Sequence, residues 1–95
     1  MAERPKLNLD PEVRAEVERR LRSIRGHVEG VLRMLGSEDV YCVDVLRQIK
    51  AVQAALDRVS ELILKSHLKD HVATAAERGD VEAVVEELLE VLKYR

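Results

Sequence analysis

At 95 residues, with one cysteine and a net charge of −2, the chain reads as a single small domain with no internal disulfide. Its aromatic residues are Tyr41 and Tyr94 alone, so the core is built from Leu, Val, Ile and Ala, a palette that suits helix packed on helix. No apolar run reaches the ~20 residues of a membrane span, the first ten residues lack a signal-peptide core, and the whole-chain pI of about 5.9 does not suggest a nucleic-acid binder.

Residues 1–9 are expected to be mobile. Asp10-Pro11-Glu12 then opens a first helix: Asp10 caps free amides, Pro11 suits the first helical position, and Glu12 favours the positive helix end. Val13, Val17, Leu21, Ile24, Val28, Val31, Leu32 and Leu35 recur at threes and fours, and Gly36 ends the helix. Gly26 and Gly30 sit inside it, four apart on one face, and predict close approach by another backbone. A short turn over 36–39 folds a second helix back on the first. That helix is expected from about Val40 to Arg78, longer than the first can cover, which calls for a partner chain. Gly79 ends it, and Asp80 caps a third helix from Val81 to about Tyr94. Val84, Val85, Leu88, Val91 and Leu92 give the third helix an apolar face, and Glu82, Glu86, Glu87 and Glu90 an acidic one. The reading is all-α, a three-helix protomer, with no strand pattern or repeat.

The second helix carries Cys42 near its start and His67 and His71 near its end, and these side chains hold soft and borderline metals. From Cys42 to His67 is 67 − 42 = 25 steps, which leaves them roughly 20° apart around the axis. His71, at 71 − 42 = 29 steps, falls roughly 20° to the other side. All three share one face, yet Cys42 and His67 lie about 37 Å apart along the axis at ~1.5 Å per residue. A metal–ligand bond spans only about 2.0–2.3 Å. One helix therefore cannot close the site, whereas a second copy lying antiparallel can. Cys42 of one chain then faces the histidine pair of the other, across a seam of Leu46, Ile49, Gln53, Leu56, Ser60 and Ile63. Two-fold symmetry makes two such sites. One thiolate and two imidazoles suit trigonal Cu(I) or, with a water, tetrahedral Zn(II). From spacing alone the same residues also read as a buried free thiol and two surface histidines.

Charge is distributed unevenly. Residues 1–36 hold 8 Lys/Arg and 6 Asp/Glu, 8 − 6 = +2, while residues 80–95 hold 2 and 5, 2 − 5 = −3. Arg19, Arg20, Arg22 and Arg25 form a basic run able to meet phosphates, although i, i+4 pairs such as Glu16–Arg20 and Glu18–Arg22 also describe a solvated face. His27 reads as a polar surface or interface residue of the first helix. No nucleophile–base arrangement, phosphate loop or paired-carboxylate cleft is visible, so no enzyme is expected.

Three segments resemble the CsoR/RcnR family of bacterial transcriptional repressors that sense copper, nickel or formaldehyde: Arg20 to His27 with Arg33-Met34-Leu35; Tyr41-Cys42-Val43-Asp44-Val45-Leu46 with Gln48-Ile49 and Ala54-Ala55-Leu56; and His67-Leu68-x-x-His71. The resemblance covers nearly the whole chain. It implies a cytoplasmic repressor: a three-helix protomer forming an antiparallel dimer, two of which make a flat, disc-like homotetramer on operator DNA. It also implies Cys42 and His67 as two of the copper sensors' three ligands, with His71 where the third is usually cysteine. Copper(I) is then the expected effector, with zinc(II) or nickel(II) as alternatives; a formaldehyde sensor or a metal buffer without DNA binding are the rival functions. Tyr41 and Glu87 match outer partners of the ligating histidine. Arg20 and Arg58 match arginines implicated in operator binding, with Arg22 and His27 beside them.

Overall fold

A computed structural model describes residues 6–94, the side chain of residue 76 excepted. It has three helices and, among the described residues, no strand: α1 (Pro11–Leu35), α2 (Cys42–Arg78) and α3 (Val81–Leu92). Helix α1 begins as its sequence dictates. The Asp10 carboxylate accepts from the Glu12 amide at 3.1 Å, with Pro11 in the first turn. It ends at Gly36, whose amide donates to the Arg33 carbonyl, while the Ser37 amide donates to that of Met34.

Helix α2 begins at Cys42 rather than near Val40, because Tyr41 is extended, at φ −94° and ψ 137°. It ends at Gly79, at φ 71°, a left-handed conformation that glycine adopts without steric penalty, and the Gly79 amide donates to the Ala75 carbonyl at 2.9 Å. Helix α3 stops at Leu92, two residues short of the expected Tyr94. The Asp80 side chain does not cap α3; its oxygens each accept from Arg78 Nε at 3.2 Å, so it ties the α2–α3 turn instead.

Helix α2 is the spine. Helices α1 and α3 each pack on it and not on one another. The core is a thin strip of Val17 and Ile24 from α1 against Val52 and Val59 from α2, flanked by Val13, Ala55, Leu62 and Ile63. Sevenfold spacing puts each pair on one stripe. The molecule measures 60 × 26 × 20 Å, its long axis set by the 37 residues of α2. Much apolar surface stays open. Leu46, Ile49 and Leu56, on the expected seam, are all exposed, as are Leu32 and Leu35 on α1. The glycine face of α1 is open as well. A methyl group at Gly26 would meet nothing within 4 Å, and one at Gly30 only an Arg33 side-chain nitrogen at 3.6 Å. The backbone approach expected there is not made within this chain.

Candidate metal centre

Where α3 folds back on α2, its buried Val84 and half-buried Leu88 and Val91 face α2. Glu87, three residues after Val84 and four before Val91, shares that face and is carried inward. Its carboxylate meets both histidines of α2. Glu87 Oε1 lies 2.5 Å from His67 Nε2, and Oε2 lies 2.8 Å from His71 Nε2. The three side chains are only 10%, 15% and 12% exposed for His67, His71 and Glu87. The two imidazoles, one turn apart, stack with centroids 5.5 Å apart and planes inclined by 15°. Oε2 has no aligned hydrogen-bond donor, so its approach to His71 is a close contact off the N–H axis.

The opposite ring nitrogens have partners too. The Asn8 amide donates to His67 Nδ1 at 3.1 Å, the Asn8 side chain bonds Asp70, and the Asp10 amide donates to Ser66 Oγ at 3.2 Å. Within the segment expected to be mobile, Asn8 thus contacts α2; residues 1–5 of that segment lie outside the described residues. On the other ring, an Arg78 guanidinium nitrogen lies 3.4 Å from His71 Nδ1 and donates to the His71 carbonyl at 3.3 Å. Neither Asn8 nor Arg78 was singled out from sequence. Arg78 was legible, since seven residues after His71 returns to the same face; Asn8 was not, being 59 residues from its partner.

Cys42 sits in the first turn of α2 and is exposed, with Tyr41 beside it. Both lie at the end of α2 far from the histidines. Among the described residues, no three Cys, His, Asp or Glu side chains of this chain converge as a metal site. The structure thus brings Glu87 to His67 and His71 and does not bring Cys42 or Tyr41 to them. An open groove lined by Leu7, Ile63, Leu64, Val91 and Tyr94 runs from His67 along α2 to Arg58.

The basic residues lie on α1 and α2. Arg22 is exposed and pairs with Glu18 at 3.8 Å; Arg58 is exposed and pairs with Glu61 at 3.3 Å. Arg20 is half-buried, 3.4 Å from Glu16, with its Nε unpartnered. His27 turns to α2, its Nε2 2.6 Å from Gln48 Oε1.

The profile of the metal-sensitive transcriptional repressor family matches residues 13–94. The chain belongs to that family. It is 44% identical over 78 residues to the copper-sensing transcriptional repressor CsoR of Bacillus subtilis (strain 168), covering 82% of this chain and 76% of that protein. It is 45% identical over 75 residues to the copper-sensing transcriptional repressor CsoR of Mycobacterium tuberculosis (strain ATCC 25618 / H37Rv), covering 79% of this chain. The match spans 62% of the mycobacterial relative's length. The three-helix architecture is that of the crystal structure of the copper-sensing repressor CsoR with Cu(I) from Geobacillus thermodenitrificans NG80-2, with a TM-score of 0.79 and 36% identity over 97% of this chain and 92% of that one. The family is one of transcriptional regulators rather than enzymes. No helix among the described residues is long and apolar enough to cross a membrane.

Proposed function

We propose that this chain is a cytoplasmic, metal-responsive transcriptional repressor that holds operator DNA when metal-free and releases it on binding copper(I), derepressing copper-resistance genes. The observation that carries the reading is the split donor set on one helix. Two imidazoles lie against one carboxylate at one end of α2, and an exposed thiol stands at the other. Such a set is complete only between two antiparallel chains, and one thiolate with two imidazoles fits a three-coordinate soft cation. The copper-sensing relatives support the choice of metal.

Cys42 of one protomer, with His67 and His71 of the other, would hold the ion. When bound, the metal links the thiol end of one α2 to the histidine end of its partner. Exposed Leu46, Ile49 and Leu56 form the seam of that homodimer, and two dimers form the homotetramer. Arg20, Arg22 and Arg58 meet operator phosphates, exchanging their present glutamate pairs for the DNA backbone. His27, bound to Gln48, braces α1 on α2 behind that face. By linkage, DNA weakens metal binding by the factor with which metal weakens DNA binding.

His71, where copper sensors usually place cysteine, favours a second reading, a zinc(II) sensor with water as fourth ligand. Gel shifts on the protein's own promoter, titrated separately with Cu(I), Zn(II) and Ni(II) under competing chelators, test both. The expected result is salt-dependent binding reversed by Cu(I). Metal binding without any operator binding would leave only a metal buffer.

A further inference from the structure

At the end of α2 a cation stands beside the histidine pair. Arg78, seven residues after His71, returns to the same face of the helix. One terminal nitrogen of its guanidinium donates to the His71 carbonyl at 3.3 Å and hydrogen-bonds His71 Nδ1 at 3.4 Å. The rest of the group is anchored away from the ring. Its other terminal nitrogen donates to Thr74 Oγ1 at 2.8 Å, and Nε donates to both Asp80 oxygens at 3.2 Å. Thr74 directs its own hydroxyl proton to the carbonyls of Asp70 and His71, at 3.1 and 3.3 Å. A guanidinium only donates, so Nδ1 presents its lone pair to it. A neutral imidazole has one such lone pair. Ligation of a metal through Nδ1 takes that lone pair directly. Ligation through Nε2 puts the ring proton on Nδ1, where it points at the guanidinium. By either nitrogen, the Arg78 contact and a metal ion exclude one another at His71.

We propose that Arg78 is a specificity-determining residue of the metal centre: it holds the lone pair that His71 must give to a metal, and its charge, kept beside the site, disfavours a divalent ion more than a monovalent one. The inference rests on the reading of His71 as a ligand. A guanidinium that yields the ring keeps Asp80, Thr74 and the His71 carbonyl as partners, so its charge stays close to the site. Asp80 neutralises that charge incompletely, because it binds Nε while a terminal nitrogen faces the ring. Repulsion scales with the charge of the ion. Arg78 and Asp80 are each 41% exposed, so water screens them. At this range the penalty is then about 3- to 10-fold in affinity per unit of ion charge. It applies once to a monovalent ion and twice to a divalent one. The bias is toward Cu(I) over Zn(II), although one thiolate and two imidazoles suit either.

The test is the affinity of the full-length protein, without DNA, for Cu(I) and for Zn(II), each read by competition with a chromophoric chelator. Arg78→Gln removes the charge and should raise both affinities, that for Zn(II) by about 3- to 10-fold more than that for Cu(I). Arg78→Ala should do the same, which keeps the test decisive if one variant fails to fold. Asp80→Asn breaks the same turn contact but leaves the cation, so it should leave the Zn(II)-to-Cu(I) ratio unchanged or lower it. Were Arg78 only a brace of the α2–α3 turn, Arg78→Gln and Asp80→Asn would act alike. Equal changes for the two ions in Arg78→Gln, a fall in both, or a ratio raised as far by Asp80→Asn would overturn the proposal. His71→Ala separates it from the reading beneath it. Full affinity for both ions in His71→Ala means that His71 is no ligand, and both fall together. Lost affinity there, with an unmoved ratio in Arg78→Gln, sinks the role of Arg78 alone.

Discussion

Cross-chain complementation puts the split donor set to a quantitative test. Take two variants, Cys42→Ala and His67→Ala/His71→Ala, each of which leaves every site without thiol or without imidazoles. Within one α2 the missing partner cannot be found, because 25 residues at ~1.5 Å each separate the two ends by about 37 Å, against a bond of about 2.0–2.3 Å. Unfolded, mixed in equal amounts and refolded together, the two chains should pair at random, giving about half heterodimers, each with one intact site of two. The mixture should therefore recover about a quarter of the parent's high-affinity sites, while either variant alone recovers none. Native mass spectrometry confirms the pairing, and chelator competition with Cu(I) counts the sites. Heterodimers that bind no better than either variant, or full stoichiometric binding by one variant alone, would refute the cross-chain site.

Other expectations follow from individual residues. Arg58→Ala and Arg20→Ala should each weaken operator binding and flatten its salt dependence by about 0.9 in log–log slope for every phosphate left unneutralised, with metal affinity of the free protein unchanged; unchanged DNA affinity in both would leave the arginines as a solvated helix face. Val59→Ala, at a core position 4% exposed, should cost about 2 kcal/mol in denaturant unfolding, by loss of buried methyl groups and the space they leave. Gly79→Ala forces a side chain into the left-handed region at φ 71° and should cost about 1–2 kcal/mol, loosening the joint that carries Glu87 to the histidines. Measured against Gly26→Ala, where a methyl meets nothing, the difference isolates the conformational penalty from the added group.

Local signals were legible where they depend on neighbours in sequence. Asp10-Pro11, Gly36 and Gly79 fixed three helix ends, and the three-and-four spacing of Val17, Ile24 and Val31 found the buried stripe of α1. The expected boundaries at Val40 and Tyr94 each missed by two residues, since helix ends depend on weak competing backbone preferences. Asp80 offered two partners, a helix amide or Arg78, and the ion pair prevailed. At the site, His67 and His71 were marked by their own spacing. Glu87 stood out from Glu82, Glu86 and Glu90 only by family resemblance, although its register with Val84 and Val91 already set it on the packing face. That one carboxylate lies against two rings follows from how α3 docks on α2, a tertiary fact absent from the local pattern. The Asn8 contact depends on bringing together residues 59 apart, and no periodicity encodes it.

Because α1 and α3 rest on α2 without touching, the protein has no single core whose loss unfolds everything at once. A helix as short as the 12 residues of α3 is marginal by itself in water. Its attachment is a narrow apolar strip around Val84 plus the carboxylate held by the histidines. Detachment of α3 is thus a subglobal opening, of lower free energy than global unfolding, and it takes the Glu87 contacts with it. Amide exchange along α3 accordingly serves as a built-in gauge of the histidine cluster. Whatever strengthens that cluster slows exchange from Val84 to Val91, while amides of the Val17–Val59 strip, in a separate cooperative unit, keep their rates.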